Sequence, residues 1–207
     1  MADYPETRIS LILRLAQSDD VQAWHEFCEL YAPLVYRLAV ARGMQPADAE
    51  DVTQDTLFAV ARAAERFEPD PGRARFRTWL SRIARNLIAD FFAGRAKRPL
   101  SQVLSDSWWQ SVCEPSQADE TFETVFGQEH RRAVLEMAAR RVQQRVSTAV
   151  WQAFFLTAVQ HQPAESVASE LGQSLGAIYV ARCRVLKMLR HEAQLLEHAS
   201  QLSEPLP

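Results

Sequence analysis

Between Phe76 and Phe92 the apolar residues Phe76, Trp79, Leu80, Ile83, Ala84, Leu87, Ile88, Phe91 and Phe92 recur at i, i+3, i+4, i+7 and i+8, which is the period of an amphipathic helix. Arg77, Arg82 and Arg85 fall on the opposite face. Such a segment needs other helices to cover its apolar stripe, and it offers a row of cations on its other side. Only 6 glycines occur in 207 residues, and runs of β-branched residues are few. The expectation is therefore an all-α fold.

Punctuation along the chain divides it further. Residues 6–17 read as a short helix ending near "QSDD", and a second helix places Val21, Trp24, Cys28, Tyr31, Val35 and Leu38 on one face and closes at Gly43, with a kink expected at Pro33. Pro46 opens a third helix, where its missing N–H costs nothing, and this helix runs to about Phe67, burying Ala49, Val52, Thr56, Val60 and Ala63. "EPDPG" at 68–72 makes a turn into the helix 76–92. These four helices form a first bundle. Residues 99–121 carry Pro99, Pro115 and many Ser and Gln without sustained period and read as a linker, with Trp108 and Trp109 inside it. Helical period resumes near Phe122, a short helix spans 163–171, Gly172 breaks it, and a final helix runs from Leu175 to about Leu196 before a frayed tail. The organisation is thus two helical domains, 6–98 and 122–196, joined by a flexible acidic linker.

Several function classes drop out. No run of ~20 apolar residues is present to span a membrane, and the start "MADYPETRIS" lacks the pattern of a signal peptide. Cys28, Cys113 and Cys183 are far apart and odd in number, which fits neither a disulfide framework nor a zinc site. A reducing cytoplasm is the expected home. The net charge of −3 argues poorly for nucleic-acid binding until its distribution is read. Arg73, Arg75, Arg77, Arg82, Arg85, Arg95, Lys97 and Arg98 face a single acid, Asp90, between positions 73 and 98. From Pro99 to His130 the acids Asp106, Glu114, Asp119, Glu120, Glu123 and Glu129 stand with no Lys or Arg. Charge segregated in this way points to separate surfaces with separate partners.

Three constellations carry chemistry. "PAESVASEL", "GQS" and "LGAIYVARCRVLKMLR" read as a helix-turn-helix in which Ala168 allows close crossing, Gly172 makes the turn, and Val167, Leu171 and Ile178 face inward. Ser174, Ala177, Tyr179 and Val180 would then face a DNA major groove, and Arg182, Arg184 and Lys187 would take phosphates. The plainer alternative is a helical hairpin with a solvated basic face. In "PADAEDVTQDT", Asp48, Asp51 and Asp55 line one helix face with Glu50 and Gln54 beside them. The helix dipole accounts for acids in the first turn, but Asp55 lies too far in. An acidic stripe that docks a basic protein helix is the favoured reading over a metal site or acid–base pair, because no second carboxylate helix or histidine accompanies it. Finally, Arg73, Arg75, Arg77, Arg82 and Arg85 beside aromatic residues match what single-stranded nucleic acid requires, namely stacking surfaces and phosphate contacts, although most of those aromatics belong to the core by spacing.

The order "DAEDVTQDTLFAVARAAERF", "ARFRTWLSRIARNLIADFF", linker and helix-turn-helix resembles bacterial RNA polymerase sigma factors. In particular it resembles the small extracytoplasmic-function group, which retains sigma domains 2 and 4. The resemblance covers roughly 6–98 and 122–195. It implies that Asp48, Glu50, Asp51, Gln54 and Asp55 dock on the clamp helices of the polymerase. It implies that the loop 67–75 captures a flipped base of the −10 promoter element, and that Arg77, Trp79, Arg82, Arg85 and Asn86, with Arg73 and Arg75 ahead of them, meet the −10 strand. Residues 174–187 would read the −35 element, and the linker would thread toward the RNA path. In the recognition helix "YVARCR" replaces the Lys-Ser-Arg type of run common in the family, so base preference does not carry over. The implied function is a non-enzymatic initiation factor without cofactor or metal. Its partners would be core RNA polymerase and promoter DNA, with an anti-sigma factor or another regulatory protein as a source of control. The rival reading is an autonomous helix-turn-helix regulator that binds a palindromic site without polymerase.

Overall fold

The computed structural model describes residues 14–15, 20–64, 76–94, 112 and 117–201. Among them every regular element is helical: α1 (Val21–Ala41), α2 (Pro46–Ala64), α3 (Phe76–Phe92), α4 (Gln117–Arg145), α5 (Thr148–Phe154) continued by a π-helical turn (Phe155–Val159), α6 (Ala164–Glu170) and α7 (Leu175–Gln201). Val134–Glu197 forms one compact unit and the remainder of the chain forms the other. The division falls inside α4. None of the described helices is long and apolar enough to cross a membrane.

The first unit is built on α1, whose start is fixed twice. The Asp20 side chain accepts from the Ala23 backbone N–H at 2.8 Å, capping the helix, and the same carboxylate pairs with Arg14 at 2.8 Å. Pro33 removes one backbone hydrogen bond yet does not end the helix, which continues to Ala41. Its end is a Schellman closure: Gly43 adopts φ 93°, Gly43 N–H donates to Val40 O at 2.9 Å and Met44 N–H to Ala39 O at 3.2 Å. A side chain with Cβ resists that φ, so glycine belongs there. Ala23, Phe27, Leu30, Tyr31, Leu34, Val35, Leu38 and Ala39 are buried. Val21, expected on the buried face, is 77% exposed because it begins the helix beyond the reach of the core. The core proper lies one position round from the expected stripe.

Helix α2 packs on α1 and α3 on α2. Ala49, Val52, Thr56, Val60 and Ala63 are buried as their spacing requires. The two buried threonines spend their hydroxyls inside their own helix, Thr53 on Ala49 O at 2.7 Å and Thr56 on Val52 O at 2.8 Å, so neither leaves an unsatisfied polar group. Phe76 closes the core edge-on to Phe27 and Tyr31, with ring centroids 6.2 Å away in each case. Each fully buried aromatic of this kind contributes about 1.5–3 kcal/mol. Phe92, placed on the apolar stripe by spacing, ends α3 at 56% exposure. Helix α4 starts at Gln117, within the range read as linker, and its Phe122, Phe126 and His130 are buried.

In the second unit the Ser147 side chain caps α5. A π-turn widens its end, where the Thr157 hydroxyl donates to Ala153 O at 2.6 Å and Gln160 N–H reaches back five residues to Phe155 O at 3.0 Å. Ala153, Val167, Ala168, Ile178 and Ala181 form the core, with Leu171 packed against it. The turn between α6 and α7 repeats the Schellman closure: Gly172 has φ 61°, and Gln173 N–H donates to Ala168 O at 2.9 Å. Glu192 is buried on α7 and paired with Arg145 and Arg141 of α4.

Candidate nucleic-acid interface

The acidic stripe of α2 is partly exposed. Glu50, Asp51 and Gln54 face solvent, and Asp48 and Asp55 are half-buried. Burial, and then the neighbouring Asp51, pushes the Asp55 carboxyl above its ordinary range, so that acid is held at some cost in a site where an incoming cation would relieve it. The stripe also has an apolar residue at its C-terminal end. Phe58, four residues beyond Gln54 and seven beyond Asp51, is 50% exposed, with the Arg62 guanidinium 6.0 Å from its ring centroid. Sequence reasoning missed Phe58, although its i+4 and i+7 spacing from the acids was there to be read.

The arrangement on α3 differs from a simple cationic stripe. Arg77, Trp79, Arg85 and Asn86 are half-buried, but Arg82 is only 8% exposed. Its Nη1 donates to the Val112 carbonyl at 3.5 Å, and its Nε lies 3.8 Å from Glu123 Oε1 of α4. Arg85 donates through Nη2 to Asn86 Oδ1 at 2.9 Å, and burial followed by the adjacent Arg82 lowers its pKa. Trp79 stacks near Phe76, with centroids 5.4 Å apart. Cations and an aromatic ring are therefore gathered on one helix, with Arg82 placed under a cover that its spacing did not announce. Arg73, Arg75 and the loop 67–75 lie outside the described residues, as do Trp108 and Trp109.

On α7 the Ser174 hydroxyl oxygen accepts from Ala177 N–H at 3.2 Å, so this residue caps the helix. Ile178, Ala181, Val185 and Leu189 face the core, which turns the other side outward. Ser174, Ala177, Tyr179, Val180, Arg182, Arg184 and Lys187 are all exposed. Val180, at 68% exposure, stands near the middle of that outer face. Gly176, Cys183 and Lys187 share its side of the helix by spacing and are also exposed. Cys183 was not among the expected reading positions, although it is central to the face, whereas Arg182 lies at its flank. Among the described residues no cluster of His, Cys, Asp or Glu could hold a metal ion.

Comparison with known proteins bears on the same segments. Residues 27–98 match the family described as Sigma-70 region 2. The chain is 28% identical over 170 residues to the ECF RNA polymerase sigma factor RpoE of Cereibacter sphaeroides, covering 82% of this chain and 86% of that one. It is 27% identical over 182 residues to the ECF RNA polymerase sigma factor SigE of Mycolicibacterium smegmatis, covering 88% of this chain and 65% of that one. Among solved structures, CnrH in complex with the cytosolic domain of CnrY aligns over 93% of this chain and 99% of that one, at 22% identity and a TM-score of 0.35.

Proposed function

The chain belongs to the extracytoplasmic-function group of the sigma-70 family, and from that membership we propose a division of labour among its helices. The protein is a transcription initiation factor that binds core RNA polymerase and directs it to promoters. Glu50, Asp51 and Gln54, with Asp48, Asp55 and the apolar Phe58, form the polymerase-docking stripe on α2. Arg77, Trp79, Arg82, Arg85 and Asn86 on α3, with Arg73 and Arg75, hold the separated −10 strand. The outer face of α7 reads the −35 duplex. In domain terms, 6–98 binds polymerase and the −10 element, 99–121 connects, and 122–196 binds the −35 element. This role is non-enzymatic and cytoplasmic, and control by an anti-sigma factor or another regulatory protein belongs with it.

The observation that carries this reading is that the Sigma-70 region 2 match, 27–98, falls on the stretch that joins the exposed acidic stripe to the basic, aromatic helix α3. Strand capture and protein docking then sit on adjacent helices. Polymerase binding tethers both DNA readers at high effective concentration, which compensates for a net charge of −3 that gives little non-specific affinity of its own. The reading of the chain as an autonomous regulator is not favoured by these relatives. The test is reconstitution: the purified chain should co-elute with core polymerase from its own source on a sizing column, and the complex should initiate from promoters that core polymerase alone ignores. A folded chain that forms no complex with its native polymerase overturns the proposal.

A further inference from the structure

On the α3 face read as meeting a DNA strand, Arg82 is covered from within the first unit, while Arg77, Trp79, Arg85 and Asn86 stay half-buried. Arg82 reaches the Val112 carbonyl and lies 3.8 Å from Glu123. The covering helix is held at several further points. Arg37 Nε of α1 donates to Glu129 Oε2 at 2.6 Å, and the Arg42 guanidinium lies over the Phe122 ring at 4.9 Å from its centroid. The Tyr31 and His130 rings lie 5.7 Å apart, and Phe122, Phe126 and His130 are all buried. These three recur every four residues and form the apolar stripe of the covering segment. Glu123 and Glu129 flank it and meet arginines of α3 and α1.

We propose that the first half of α4, Phe122 to His130, is an acidic strap that closes the strand-binding face of α3 in the free chain and gives way when single-stranded DNA engages that face. The proposal rests on the reading of α3 as the strand-holding helix. Its chemistry is substitution of one anion for another. A carboxylate occupies the place beside Arg82 that a phosphate would take, and a guanidinium buried to this degree cannot serve both. The buried aromatic residues give the closed state its persistence, because removing a charge alone leaves that apolar contact intact. The acids between Pro99 and His130, with no Lys or Arg among them, are thus more than a solubilising linker. One of them, Glu123, supplies counter-charge to Arg82 of the helix suited to nucleic acid, and Glu129 fastens the same segment to Arg37 of α1.

The experiment is fluorescence anisotropy of the full-length free chain with a labelled, mixed-sequence single-stranded DNA of 12 nucleotides. Glu123→Lys should bind about tenfold more tightly than the unmodified chain. Glu29→Lys, at an exposed position of α1, makes the same change in net charge and should bind no more than about twofold more tightly. Adding Arg82→Gln to Glu123→Lys should cancel the gain. Equal gains from Glu123→Lys and Glu29→Lys, or no gain from either, overturn the strap. Should Glu123→Lys fail to fold, hydrogen exchange on the unmodified chain decides the matter. Amides from Phe122 to His130 should lose protection at saturating DNA, and unchanged protection rejects the proposal. A chain that neither binds core polymerase nor initiates transcription defeats the functional reading itself, whereas an active holoenzyme with no gain from Glu123→Lys defeats only the strap.

Discussion

Tyr31 on α1 and His130 on α4, 99 positions apart in the sequence, meet with the tyrosine oxygen 3.4 Å from the imidazole Nε2. The ring is buried. Burial, then the charges of Arg77 and Arg131, lower its pKa from 6.5 to about 4. The unfolded chain therefore takes up a proton below about 6.5 that the folded chain refuses until about 4. Stability should fall as pH drops through that window, by about 3 kcal/mol in full. Urea melts between pH 4.5 and 7.5 should show the slope, and His130→Gln should flatten it. A slope unchanged in that variant would place the proton uptake elsewhere.

Asp51 and Phe58 are exposed on α2, so changing them should separate docking from folding. Asp51→Arg should weaken core-polymerase binding by at least about thirtyfold, with thermal unfolding unchanged within a degree or two. Phe58→Ala should weaken it by about tenfold, since a half-exposed aromatic gains its burial only on docking. Competition for polymerase against a labelled unmodified chain reads both. Full affinity in Asp51→Arg would remove α2 from the docking surface.

Arg82 and Arg85 sit one turn apart and should behave differently. Arg85→Gln should reduce promoter opening, followed by permanganate reactivity of unpaired thymines, while leaving stability nearly intact. Arg82→Ala should also cost about 2–3 kcal/mol of stability, because it leaves the Val112 carbonyl and Glu123 without a cation they now meet. Equal melts for the two variants would contradict the burial difference.

In the second unit, Glu192→Ala should cost about 1.5–3 kcal/mol, the worth of a hydrogen bond to a charged group, because the buried carboxylate is lost while Arg145 and Arg141 stay within reach of water. Val180→Ala should leave the melt unchanged and alter base preference in a −35 selection. Ile178→Ala, two residues away on the buried side, should cost about 2–5 kcal/mol. The contrast between positions 178 and 180 tests which face α7 presents.

Much of this was legible from local pattern. The bounds of α3 follow from its own period, Pro46 marks the start of α2, and Gly43 and Gly172 mark turns that only a residue free of Cβ closes easily. What escaped was non-local. Val21 and Phe92 fit apolar stripes but sit where the helices run past their partners. Arg82 reads as solvent-facing because arginine usually is, and nothing near it in sequence reveals that Val112 and Glu123 close over it. Phe58 had a helical relation to Asp51 and Gln54 but reads as core by residue type alone. The pairing of Tyr31 with His130 is likewise invisible to any window short of the whole chain.

The carboxylate beside Arg82 also changes how the free protein should respond to ionic strength. Ordinary DNA binding releases counterions for each phosphate neutralised, and affinity falls steeply with salt. Where a carboxylate already neutralises the cation, binding is an ion exchange. The arginine keeps one negative neighbour before and after, and salt screens both states. The logarithmic salt slope should then be shallower than the number of arginine–phosphate contacts suggests, and a titration of sodium chloride alone would undercount them.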